Sequence, residues 1–161
     1  RGSRAGEMLA RCIVETGTSS FYTAMAQSTD EPVLKDIARR IAADEFRHYK
    51  TFYTLMNDYL RREKVGFLER LKVAYGRIRE VDDDELAYAY HCANHPLPTY
   101  DHATCNRLYG ARAYRLYPFN VVERAVGMVF KAVGLKPHGR LGRGTASLAW
   151  KLLQRRAQAA A

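Results

Sequence analysis

The chain has 161 residues, 47% of them hydrophobic, and a formal net charge of +9 at pH 7. That length accommodates one domain, or one domain with an appendage, and can bury a substantial core. No apolar run approaches the ~20 residues of a membrane-spanning helix, no secretory signal pattern opens the chain, and there is no glycine-rich phosphate loop, zinc-protease motif or nucleophile elbow.

The first predicted helix is capped by Ser3 and runs to about residue 28. Its stripe of Met8, Cys12, Glu15, Ser19, Tyr22 and Ala26 carries a carboxylate at its centre. The small residues 16–20 in its middle have poor helix propensity, which points to something packed close against them. Ser28-Thr29-Asp30-Glu31-Pro32 is a turn, with Asp30 as cap and Pro32 in the first turn of the next helix. That second helix reaches about residue 63. Leu34, Ile37, Ile41, Glu45, His48, Phe52, Leu55 and Tyr59 follow three/four spacing along it.

Glu45-Phe46-Arg47-His48 is a Glu-x-x-His motif. Positions i and i+3 share a helix face, so an oxygen and a nitrogen ligand stand side by side. A chain that folds back near residue 30 brings position 15 level with position 45. A buried carboxylate is costly unless it is paired, protonated or metal-bound. Glu15, Glu45 and His48 are therefore expected to be buried together in one ligand sphere. The plainer alternatives are a solvated face, or ion pairs from Glu45 to Arg39, Arg40 or Arg47. Tyr22 and Tyr49 stand within two turns of these ligands and are candidates to hydrogen-bond a carboxylate or carry an electron; the remaining tyrosines read as packing residues.

Further helices are expected over about 65–79, with Leu68, Leu71, Ala74, Tyr75 and Ile78 inward, and from Asp82-Asp83-Asp84, acids placed where the helix dipole favours them, to Asn94. A turn at Pro96-Leu97-Pro98 follows, then helices over about 100–117 and 119–133. Glycines and prolines mark 134–144 as a linker, and a basic amphipathic helix covers about 146–158. No strand is found. The domain division is 1–64, a helical hairpin; 65–134, an extension packed on it; and 135–161, linker and tail. From Arg124 onward there are eight cations and no Asp or Glu, so this segment carries +8 of the +9. It reads as a helix docked on the bundle, as a contact to an anionic membrane surface with Trp150 on the apolar side, or as a phosphate contact; no nucleic-acid-binding motif accompanies it, and no nucleic-acid partner is expected. Cys12, Cys92 and Cys105 are odd in number and lack metal-ligand spacing, as buried thiols of a cytoplasmic protein would.

The run from Cys12 to Tyr22, followed by that from Ile41 to His48, resembles the ferritin-like, rubrerythrin-related di-iron proteins of bacteria over roughly the first sixty residues. The resemblance implies two helical hairpins related by a pseudo-twofold axis, each giving a Glu and a Glu-x-x-His to a di-iron centre. It assigns Glu15, Glu45 and His48 as ligands of iron, with manganese suiting the same set. It also implies redox chemistry on O₂ or peroxide, either ferroxidase-like or on a small substrate. Only Glu45 among the acids has a His three residues on, so the site is expected to be incomplete in this chain alone. With Arg1 rather than Met at its start, the sequence reads as the C-terminal hairpin of such a protein plus a helical extension. The missing ligands would come from an upstream hairpin of the same protein or from a second copy. The rival reading is a metal-free helical interaction module whose basic tail docks to a partner or membrane surface.

Overall fold

The computed structural model describes residues 2–79, 84–95 and 98–158. Among these the protein is all-α, a ferritin-like helical bundle without strands. Its helices are α1 (Arg4–Ser28), α2 (Pro32–Leu60), α3 (Phe67–Arg79), α4 (Asp84–Asn94), α5 (His102–Arg115), α6 (Phe119–Val133) and α7 (Arg140–Gln158). Asp82 and Asp83 of the expected acidic helix start, and Pro96 and Leu97 of the expected turn, lie outside the described residues.

The α1–α2 hairpin is the frame. Ser3 caps α1 as expected, its hydroxyl accepting from Gly6 N–H at 3.0 Å. Glu31, not Asp30, caps α2: its carboxylate accepts from Val33 N–H and Leu34 N–H, and Pro32 occupies the first turn, where a missing N–H loses nothing. Pairings along the hairpin run antiparallel, from Ala5 N–H on the carboxylate of Glu63, just past the end of α2, at 2.9 Å to Thr18 on Glu45. α3 and α6 pack against α1, α7 covers α5 and α6, and α4 packs on α5.

The main core lies on one side of the hairpin only. Leu9, Cys12 and Ile13 of α1 meet Tyr49 and Met56 of α2, Ala74 of α3, and Met128, Ala132 and Val133 of α6. Ala87, Tyr90 and Cys105 form a smaller core between α4 and α5. Of the 29 residues of α2, only Ala38, Tyr49 and Met56 are buried. Of the stripe expected to be buried, Phe52 packs against this core, but much of the rest does not. Leu34, Ile37 and Leu55 are 40–48% exposed, and Val14 of α1 joins them. α2 is apolar on two faces, and this chain covers one. The periodicity reports an apolar face but not what lies against it.

α3 differs from expectation for the same reason. Leu71 and Ala74 pack inward, whereas Leu68, Tyr75 and Ile78 face out. The expected linker over 134–144 is shorter than predicted, because α7 already begins at Arg140. Its Gly142 sits where a Cβ would lie 2.8 Å from Pro137 O, so glycine there permits close packing rather than breaking the helix. Gly134 ends α6 in the left-handed region at φ 92°.

The tail helix docks. Trp150 Nε1–H donates to Tyr117 O at 3.2 Å and its ring meets Phe119 edge-on, while Arg115 donates to Ala157 O at 3.3 Å. Truncation after Val133 is accordingly expected to lower the melting temperature by several degrees, since Ala146 and Ala157 are buried against the rest. Metal bound per folded chain should stay unchanged, because α7 carries no acid and no member of the cluster described next. Metal analysis of the folded fraction beside a thermal melt checks both halves.

Candidate metal centre

Glu15, Glu45 and His48 come together. One ligand atom from each lies within 4.8 Å of the others, and among the described residues theirs is the one such group of acids, histidines and cysteines. Glu15 is contributed by α1, and Glu45 and His48 by successive turns of α2. His48 Nδ1 is 3.5 Å from the Oε2 atoms of both Glu15 and Glu45. Glu45 does not pair with Arg39, Arg40 or Arg47: Arg40 binds Asp36 and Arg47 binds Asp44.

Burial grades across the cluster. The Glu15 side chain is 14% exposed, that of Glu45 23% and that of His48 58%. His48 is thus not buried, contrary to expectation. It stands at the rim of the cluster, on the face where Ile37 and Leu55 are also open. Glu15 Oε2 is shielded from water, and the His48 Nδ1 contact at 3.5 Å is too long and poorly aligned to satisfy it. Burial pushes the Glu15 carboxyl up to about 7, and neighbouring Glu45 adds to the shift. Glu45 is held below the usual range, chiefly by the adjacent Glu15 carboxyl, with Thr18 and His48 helping. The pair therefore keeps one proton near neutrality, as two crowded carboxyls do.

Thr18 was not singled out from the sequence. Its hydroxyl donates to Glu45 Oε2 at 3.2 Å, one turn on from Glu15. The available signal was its i+3 relation to Glu15 within the run of small residues. Of the two candidate tyrosines, Tyr49 is committed elsewhere. It is 3% exposed, stacks between Phe46 and Tyr53, and its hydroxyl donates to Met128 O on α6 at 2.8 Å. Burial pushes that hydroxyl well above its ordinary pKa. Tyr22 is half-buried, meets Phe21 edge-on, and makes no hydrogen bond to the carboxylates among the described residues. Tyr49→Phe is expected to cost about 1 kcal/mol of stability, the net worth of one buried hydrogen bond. Urea denaturation measures this, and metal per folded chain should not change.

A family model of rubrerythrin matches residues 7–92. This chain belongs to the rubrerythrin family. The match runs beyond the hairpin, through α3 and most of α4. No curated protein and no solved structure matches the chain.

The cluster suits the iron that rubrerythrins bind. Two carboxylates and an imidazole are the donors that iron and manganese take. Glu15 Oε2 is shielded from water with only His48 Nδ1 near it, and a cation between the three side chains would take the place of the proton that the Glu15–Glu45 pair holds. Three side chains are half of the six that a dinuclear carboxylate centre uses.

Proposed function

We propose that this chain supplies Glu15, Glu45 and His48 to a dinuclear iron centre, with manganese suiting the same donors, that works on O₂ or peroxide. When bound, the metal pair supplies the redox chemistry, whether toward ferrous iron or a small organic substrate. The chain's own residues do the rest. Glu15, deep and partly desolvated, gives up its proton to hold the metal. Thr18 fixes the Glu45 carboxylate by donating to one oxygen. His48, at the rim, offers a ring nitrogen. The apolar residues on the open side, Leu34, Ile37 and Leu55, exclude water once they are covered.

The observation that carries this reading is the acid–acid–histidine cluster itself, with Glu15 Oε2 shielded from water, at the centre of an uncovered apolar face. The remaining three ligands come from an equivalent hairpin, either upstream in the same protein or in a second copy. Metal analysis with solution mass tests this. About two irons per pair of hairpins, with the near-ultraviolet absorption of carboxylate-bound ferric iron, is the expected result. Purification under iron supplementation that yields an assembled protein without iron or manganese would instead favour a metal-free interaction module. No helix among the described residues is long and apolar enough to cross a membrane, and contact of the tail with a membrane surface remains a secondary proposal.

A further inference from the structure

Beside the carboxylate cluster, on the side of the hairpin that faces α6, residues of three helices line an open groove of about 540 Å³. Three cations converge on it: Lys35 and Arg39 from one face of α2, and Arg124 from α6. No Asp or Glu lines it. Lys35 and Arg39 make no ion pair among the described residues. Arg124 is already held in place: its guanidinium donates to Thr23 Oγ1 at 2.7 Å and lies 3.5 Å from Ser19 O. Gln27 adds an amide, and the rest of the wall is the Phe46 ring and alanine methyls.

Three cations around one concavity, with no acid among them, focus a positive potential that favours an anion there. A groove of this size takes a small molecule rather than a single ion, and its mixed wall suits one that is charged at one end and apolar at the other. We infer that this groove binds a small organic anion, a phosphate or carboxylate head held by Lys35, Arg39 and Arg124, with a short apolar body against Phe46. None of Glu15, Glu45 and His48 lines the groove. Phosphate and carboxylate share the chemistry that the cations read, and the two are distinguished by probe.

Isothermal titration of the full chain with phenyl phosphate and with benzoate reads the head group, inorganic phosphate reads the head alone, and phenol reads the body alone. Saturable binding of at least one of the two amphiphilic anions is expected, tighter than inorganic phosphate, with none for phenol. Binding should weaken as salt is raised. Arg39→Gln should weaken it roughly ten-fold or more, as loss of a charge-assisted contact does. Arg39 is exposed and unpaired, so this variant folds normally; Arg124→Gln should act in the same direction. The double change Arg155→Gln and Arg156→Gln on α7, which removes more charge elsewhere, should leave binding within about two-fold. Absence of saturable binding by both anions overturns the inference. So does binding by phenol as tight as by the anions, or Arg39→Gln and Arg124→Gln chains that bind like the unaltered protein.

Discussion

Glu15→Gln is expected to abolish metal retention while leaving the metal-free chain at least as stable. The amide keeps the shape of the side chain but removes its charge and one ligand. Loss of a residue that only orients a metal ligand typically costs ~10–100-fold in affinity, and loss of a ligand itself should exceed that. Stability moves the other way, because the folded state raises the Glu15 carboxyl from 4.5 to about 7. Between those values the folded chain holds a proton that the unfolded chain has released. Stability of the metal-free protein therefore falls as pH rises from about 4.5 to about 7, and stays at its reduced level above that. Glutamine has no proton to lose, so the variant should not show this fall. Above neutrality it should be the more stable form by something of order 1 kcal/mol. The lowered Glu45 carboxyl acts in a different window, withdrawing stability only as pH drops below the ordinary carboxylate range. For the same reason, metal uptake by the unaltered protein should release a proton, and affinity should fall as pH is lowered through about 7. Urea melts of both proteins at pH 5 and pH 8, with metal analysis, check these outcomes. A Glu15→Gln protein that keeps its metal would remove Glu15 from the ligand set.

The hairpin and the clustering of Glu15, Glu45 and His48 were legible because each rests on local rules. The i,i+3 spacing of Glu45 and His48 needs only a helix, and the turn between Ser28 and Pro32 needs only its cap and proline. Together these bring Glu15 level with Glu45 before any packing is known. α6 was equally legible, over 119–133, since Gly134 marks its end. What the sequence left undetermined is which apolar face meets which neighbour. Ala38, Tyr49 and Met56 on one side of α2, and Leu34, Ile37 and Leu55 on the other, have similar hydrophobic character. Only the position of α6 separates them. Tyr49 looked like a neighbour of the cluster in sequence, but its ring points into the α6 core and its hydroxyl meets Met128 O. The start of α7 was hidden because Gly142 and Gly144 signal a loop by propensity, whereas Gly142 is required by the close approach of Pro137. Thr18 and the basic groove were missed because each depends on residues from two or three helices.

Ile37→Glu is expected to leave the fold of this chain nearly unchanged and yet to deplete the metal. Ile37 is 48% exposed, so within the isolated chain a charge there lies close to water, and such surface changes stay within about 0.5 kcal/mol. Covered by a second hairpin, the same carboxylate would be buried without a partner, at several kcal/mol. The assembled form should therefore weaken by about a hundred-fold or more, and with it the supply of the missing three ligands. The effect is specific to the face. Leu148 on α7 is 60% exposed, yet Leu148→Glu should alter neither assembly nor metal content, because that helix is remote from Glu15, Glu45 and His48. The two sources of the second hairpin give different readings of solution mass. If a second copy completes the centre, a metal-loaded dimer becomes a metal-poor monomer on Ile37→Glu. If an upstream hairpin completes it, the unaltered 161-residue chain is already metal-poor. Ile37→Glu then lowers metal content only in a protein that contains the upstream segment, with no change of mass. A monomeric 161-residue chain that holds two irons, and holds them equally well with Ile37→Glu, would contradict both routes and show that the open face takes no part in the centre.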